Sequence, residues 1–188
     1  MKLNNIGLYL ILTDPVVGYI KLTKIAVDLK LPIIQLRMKT ETDLEIFRTA
    51  KELKHICAGS DTKLIINDRL DIALAAKADG VHLGQDDLPV SIARKICGDD
   101  FIIGKSTHNP QQTMIANHDL VDYIGIGPVF KTPTKIIPDP ELGLNNMKLM
   151  INKTVHPYFC IGGINEENLL ELIKIGVENY CVVRAVNK

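Results

Sequence analysis

Between Leu64 and Leu88 the chain runs LIINDRLDIALAAKADGVHLGQDDL, two short apolar runs separated by a helical pattern. The first run, Leu64-Ile65-Ile66, has the length of a buried strand and ends on Asn67 and Asp68. Leu70, Ala73, Leu74 and Lys77 keep helical spacing, and Asp79-Gly80 stops them. A second run, Val81-His82-Leu83, ends on Gly84-Gln85-Asp86-Asp87. Strand, helix and strand in this order make a βαβ unit, which is nearly always right-handed with parallel strands. Both strands therefore bring acidic residues to the same rim of a sheet. Two carboxylates converging there suit a hard cation such as Mg²⁺, held through oxygen. The alternative is that Asp68 caps the next helix and Asp86-Asp87 is a solvated turn. Their placement at successive strand ends favours the cation.

The same alternation continues along the whole chain. Apolar runs at Leu8–Leu12, Ile33–Leu36, Phe101–Gly104, Tyr123–Ile126, Tyr158–Ile161 and Tyr180–Val183 bring the strand count to eight. Helical patterns fall at Ile20–Leu29, behind the candidate cap Thr40 (Leu44, Phe47, Ala50, Leu53), at Pro89–Ile96, behind Asn109-Pro110 and at Glu166–Ile175. Strand-helix alternation implies a parallel α/β architecture. Eight strands predict a (β/α)8 barrel, with an open doubly wound sheet as the competitor. At 188 residues the chain is shorter than the usual ~200-residue barrel. The final helix is therefore expected to be missing or truncated. No linker or composition shift divides the chain, so residues 1–188 are expected to form one barrel domain.

Composition narrows the chemistry. Lys+Arg and Asp+Glu balance at 22 each, so no global field draws nucleic acid or a membrane surface, and neither is an expected partner. No apolar run approaches the ~18 residues of a membrane span. The N-terminal run Ile6–Leu12 reads as a first strand rather than a signal peptide, since it lacks a small-residue cleavage site. A cytoplasmic location is expected. Cys57, Cys97, Cys160 and Cys181 show no CxxC spacing and read as small buried apolar residues.

In such a barrel the active site lies at the carboxyl ends of the strands. Gln35, Arg37 and Lys39 alternate there and would share one direction. Two cations beside Asp68 and Asp87 suit a diphosphate held jointly with Mg²⁺. Thr132-Pro133-Thr134-Lys135 offers two hydroxyls and an ammonium within a long loop, and loops of that length are often functional. Gly162-Gly163 before a helix lets backbone N–H groups approach a phosphate. His82 reads as a hydrogen-bonded interior residue, and His108 as a residue lining the site. His55, His118 and His156 read as surface residues. Lys105 is the one plausible Schiff-base lysine, and no Ser-His-Asp triad is present.

Taken together, LYLILTDP, QLRMK, the Leu64–Leu88 stretch, GKSTH, YIGIGPVFKTPTK, CIGGINEENL and VVRAV resemble the thiamine-phosphate synthase family over nearly the whole chain. The resemblance implies a transferase on a (β/α)8 barrel, commonly a homodimer. Its reaction joins hydroxymethylpyrimidine diphosphate to thiazole phosphate, or the carboxylated thiazole phosphate, and releases pyrophosphate. By that pattern Gln35, Arg37, Lys39 and Asn67 bind the pyrimidine diphosphate, and Asp68 and Asp87 hold Mg²⁺. Ser106 and Lys135 add contacts to that substrate or its leaving group, with Arg37, Lys39, Ser106 and Lys135 catalytic. Thr132, Thr134 and Gly163 match the thiazole-phosphate site, which the Val183-Arg184 backbone closes. Departures are Lys131 where a proline is expected, Arg184 where serine is frequent, and Leu29-Lys30-Leu31 in place of a glycine-rich approach. A thiazole tautomerase relative and a non-catalytic phosphate-binding barrel are the alternatives.

Overall fold

Why the chain closes on itself follows from the two faces of its strands. The computed structural model describes residues 6–132 and 139–187. In order along the chain, β1 (Leu8–Leu12), α1 (Tyr19–Asp28), β2 (Ile33–Leu36), α2 (Asp43–Cys57), β3 (Lys63–Asn67) and α3 (Leu70–Ala75) come first. Then follow β4 (Gly80–Leu83), α4 (Val90–Cys97), β5 (Ile102–Thr107), α5 (Pro110–Ala116), β6 (Tyr123–Ile126) and α6 (Gly143–Lys153). The last elements are β7 (Tyr158–Cys160), α7 (Leu169–Lys174), β8 (Tyr180–Val182) and α8 (Arg184–Asn187). Every strand is buried on both faces, as parallel sheets covered by helices must be. Leu10, Leu12, Ile34, Leu36, Leu64, Ile66 and Ile124 turn outward and pack beneath the helices. Their alternates, Tyr9, Ile11, Ile33, Ile65, Tyr123, Phe159 and Cys181, turn inward and fill the centre. The eight strands form one closed parallel barrel in chain order, with β1 paired to both β2 and β8. The expected (β/α)8 architecture is the one found.

Several boundaries differ from the sequence expectation. Helix α2 is capped by Thr42, not Thr40: Thr42 Oγ1 accepts the Glu45 N–H at 3.3 Å, and the Glu45 carboxylate accepts the Thr42 N–H at 2.9 Å. Its buried stripe is Ile46, Ala50, Leu53 and Cys57, spaced four, three and four, while Leu44 is exposed. Strand β5 reaches Thr107 because Ser106 and Thr107 still pair with Gly125 and Ile126 of β6, although the apolar run ends earlier. Helix α7 begins at Leu169, since Asn165 Oδ1 accepts the N–H groups of Glu167 and Asn168 in a preceding turn. Helix α6, which the sequence reading did not locate, buries Met147 and Met150. After β8 the described chain adds the short α8, whose buried Asn187 donates to Ile11 O at 2.7 Å. No helix among the described residues is long and apolar enough to cross a membrane.

Candidate active site

A cavity of about 450 Å³ opens at the carboxyl ends of the strands. Eight of the candidate substrate-binding residues line it: Gln35, Arg37, Asn67, Ser106, Thr132, Gly163, Val183 and Arg184. Inward alternation accounts for this. Gln35 follows Ile33 on β2, Asn67 follows Ile65 on β3, and Ser106 follows Gly104 on β5, each two residues beyond an inward position. Arg37 is anchored by its backbone N–H, which donates to Leu12 O at 2.9 Å, and its Nη1 reaches Thr13 Oγ1 at 3.3 Å. Arg37, Lys131 and Arg184 line the cavity against the carboxylate of Asp139, a balance that favours an anionic occupant.

Lys39, Asp68 and Asp87 stand outside this lining, in a cluster at the ends of β2, β3 and β4. Lys39 Nζ donates to Asp68 Oδ2. Asp68 lies in the left-handed region at φ 61°, where Asp is among the few tolerated side chains, and its N–H donates to His82 O at 2.8 Å. The residue that caps α3 is Arg69, without a side-chain hydrogen bond, so Asp68 is not a helix cap. Asp87 folds back on its own turn, accepting the Gly84 N–H at 2.6 Å. Its carboxyl is raised above the usual range by burial and by the neighbouring Asp68, while Gly84 N–H and Lys39 oppose the rise. Two carboxylates brought together at adjacent strand ends offer a small divalent cation a hard oxygen donor set. Among the described residues no group of three or more His, Cys, Asp or Glu side chains is placed to hold a metal, so an ion here would need water or ligand oxygens beside the two carboxylates.

Thr134 and Lys135 lie outside the described residues. Lys105 is placed differently from the sequence reading. It occupies an outward position on β5 beside Leu83 and Ile124, and its Nζ donates to Gly84 O at 2.7 Å. Burial lowers its pKa, yet the side chain does not line the cavity. His108 does line it, with Nδ1 2.6 Å from Gly127 O and Nε2 3.6 Å from Asp139 Oδ2. His82, expected in the interior, bridges Tyr123 Oη at 3.0 Å and Ser106 Oγ at 2.9 Å. Gly163 holds φ 67° beneath the loop after β6, where a Cβ would lie 2.7 Å from Lys131 O.

Tyr9 and Tyr123 were missed by the sequence reading. Both are buried in the barrel and both line the cavity floor, their hydroxyls 2.9 Å apart. Strand alternation alone signals them, because each is the inward residue one layer below the polar strand ends.

The sequence profile described as thiamine monophosphate synthase matches residues 8–186. The chain belongs to the thiamine monophosphate synthase family. A family relative named thiamine-phosphate synthase, from Synechocystis sp., is 40% identical over 185 residues, which cover 98% of this chain. The match spans only 53% of that relative, about half its length. Another of that name, from Persephonella marina, is 46% identical over 83% of this chain and 74% of its own. The solved thiamine phosphate pyrophosphorylase from Pyrococcus furiosus superposes with a TM-score of 0.88 at 31% identity, covering 98% of this chain and 88% of that one. In this thiamine monophosphate synthase family member, then, both sequence and barrel agree with the relatives.

Proposed function

We propose that the chain condenses hydroxymethylpyrimidine diphosphate with thiazole phosphate, or with its carboxylated form and loss of CO₂, giving thiamine phosphate and pyrophosphate. One observation supports this above the others: Gln35, Arg37, Asn67 and Ser106 share a cavity with Thr132 and Gly163, beside the Asp68–Asp87 pair. The diphosphate end of one substrate and the phosphate of the other need such opposed anchors within one space.

The reaction asks for little covalent chemistry from the protein. The methylene–oxygen bond of the pyrimidine breaks, and its electron pair leaves with pyrophosphate. The thiazole nitrogen then supplies the pair for the new carbon–nitrogen bond, so no protein nucleophile is required. That accords with the outward position of Lys105. Arg37 and Lys39 would bind the diphosphate and stabilise negative charge growing on the leaving oxygen, a contribution larger in the transition state than before it. Asn67 and Ser106 would hydrogen-bond the same substrate, and Gln35 would orient its ring. Thr132 and the Gly163 backbone would hold the thiazole phosphate, with Thr134, Lys135 and the Val183-Arg184 backbone as further contacts. Placing both substrates in one cavity supplies the proximity contribution.

Asp68 and Asp87 would hold Mg²⁺, which when bound neutralises charge on the leaving diphosphate. Lys39, paired with Asp68 in this structure, would reach the diphosphate instead. A homodimer, implied by the family resemblance, and a cytoplasmic location belong to the same proposal. The test is to mix both substrates with Mg²⁺ and measure pyrophosphate and thiamine phosphate together. Equal amounts of both are expected. Thiazole isomerisation without pyrophosphate would indicate a tautomerase, and binding without any product a phosphate-binding barrel.

A further inference from the structure

Across the cavity floor five side chains are joined end to end. Gln35 Nε2 donates to Tyr9 Oη at 2.8 Å, and Tyr9 Oη lies 2.9 Å from Tyr123 Oη. Tyr123 Oη is 3.0 Å from His82 Nδ1, and His82 Nε2 is 2.9 Å from Ser106 Oγ. The two ends of this chain, Gln35 and Ser106, face the cavity as candidate substrate contacts.

Counting hydrogens along it gives a direction. Burial raises both phenols well above their ordinary pKa, so each keeps its single hydrogen. Tyr9 Oη receives the Gln35 N–H, and its own hydrogen is directed to Tyr123. Tyr123 in turn donates to His82 Nδ1. A neutral imidazole that accepts at Nδ1 carries its proton on Nε2 and donates from there. Ser106 Oγ accepts that hydrogen and has its own left for a ligand. Turning the Gln35 amide over, so that Oε1 accepts from Tyr9, reverses every bond and leaves Ser106 as an acceptor. In a mixed arrangement two groups of one kind face each other, or one hydroxyl accepts from both neighbours and leaves its own hydrogen without a partner in a buried place, where an unmade hydrogen bond is costly.

We infer that Tyr9, Tyr123 and His82 are positioning residues that couple the amide orientation of Gln35 to the polarity of the Ser106 hydroxyl across the barrel. With the His82 imidazole neutral, the site thus offers an acceptor at Gln35 with a donor at Ser106, or the reverse, and not two of one kind. With the amide as it stands, Gln35 presents its carbonyl oxygen. Resting on the function proposed above, that polarity selects a pyrimidine whose exocyclic amino group donates to Gln35, over an oxo pyrimidine that presents the opposite pattern there. Packing holds the middle of the chain rigid. The His82 and Tyr123 rings stack 5.5 Å apart, and the glycine at 104 leaves the space in which the two rings meet.

The coupling is tested by ¹⁵N NMR of the histidine rings in the full chain without substrate, so failure of the proposed synthase activity does not affect the result. The wild-type His82 is expected as the Nε2–H tautomer. Gln35→Glu, recorded where the ¹³C shift of the new carboxylate shows it ionised, offers Tyr9 only an acceptor. The chain should then reverse, and His82 should shift to the Nδ1–H tautomer although residue 35 does not touch it. In a Tyr123→Phe background the same change at 35 should leave the tautomer unmoved. If Gln35→Glu does not fold, Gln35→Met removes the donor and should convert the single tautomer to a mixture. A wild-type Nδ1–H tautomer would overturn the polarity assigned to Gln35 and Ser106. A His82 that keeps its tautomer in the folded Gln35→Glu or Gln35→Met protein would overturn the coupling itself.

Discussion

Gly104 and Tyr123 sit opposite each other in the β5–β6 ladder, and the tyrosine ring occupies the space a side chain at 104 would need. A Cβ there would collide with Tyr123 Cζ and stand 2.6 Å from His82 Nδ1. The glycine is required by its neighbours' size, since its backbone conformation is ordinary. Gly104→Ala should therefore push the floor out of register. Overpacking of this kind typically costs about 1–3 kcal/mol. A lowered urea midpoint with unchanged slope is expected, together with reduced turnover; wild-type stability would contradict the packing.

Arg37→Met tests the anion site. On a solvated strand end the substitution would change stability and rate little, since surface changes fall within ~0.5 kcal/mol. Arg37 instead lines the cavity. Losing charge-assisted hydrogen bonds of roughly 1.5–3 kcal/mol each should lower kcat at least about tenfold, with a smaller change in diphosphate affinity. Steady-state kinetics beside thermal unfolding checks this, and a folded protein with wild-type turnover would remove the main electrostatic support for the site.

The pH behaviour of Asp87 follows from its surroundings. Burial and then Asp68 raise its pKa, so a cation that needs both carboxylates ionised should bind less tightly as pH falls through that raised value. Asp68→Asn removes the neighbouring negative charge and should bring Asp87 down towards the ordinary carboxyl range. Titration followed by ¹³C NMR of the Asp87 carboxyl reads the shift directly. An unchanged Asp87 in the variant would mean that burial alone sets it. Excess chelator should abolish turnover in the wild type, and unchanged turnover would end the Mg²⁺ reading.

Much of this site could be read from the sequence because period-two alternation carries an inward residue to the strand end. Ile33 and Gln35 on β2 with Arg37 one residue past its end, and Ile65 and Asn67 on β3, follow that rule without interruption. It failed where side-chain chemistry and backbone direction disagree. Lys105 has a reactive-looking neighbourhood in the sequence, yet parity places it outside the barrel. Tyr9 and Tyr123 look like core aromatics, and they are, but their hydroxyls meet only through strand closure across 114 residues. Thr42 has Glu45 three residues on and closes a full capping box, whereas Thr40 has only Asp43 there. The burial of Ile46 and Cys57 fixes the helix phase and with it the choice.

Gly163→Ala should act on the loop after β6 before it acts on any phosphate. The residue holds φ 67°, and a Cβ would lie 2.7 Å from Lys131 O and 2.9 Å from Phe130 O. Left-handed backbone costs a non-glycine residue about 1–2 kcal/mol, and the contact adds to it. The expected result is weaker thiazole-phosphate binding, since Lys131 and Thr132 are displaced, with diphosphate binding nearly intact. Calorimetry with each substrate separately decides this, and equal loss of both would indicate a general folding defect.

Asn187 fastens the end of the described chain to its beginning. Its Nδ2 donates to Ile11 O at 2.7 Å, its Oδ1 accepts the Thr13 N–H at 3.2 Å, and its carbonyl accepts the Val16 N–H at 3.1 Å. These bonds hold α8, and with it Arg184 at the cavity edge, against the end of β1, where Thr13 also meets Arg37. Asn187→Leu is close in volume but offers neither donor nor acceptor. Buried groups on Ile11 and Thr13 would be left unmatched, each at about 1–3 kcal/mol. Besides that loss of stability, α8 should detach locally, so the Thr13 and Val16 amides should exchange faster than the rest of the barrel. Because Thr13 orients Arg37 from one side and Arg184 borders the cavity from the other, the Michaelis constants for both substrates should rise in the folded variant. Hydrogen exchange at Thr13 and Val16 that stays at the wild-type rate would show that Asn187 is not the fastening.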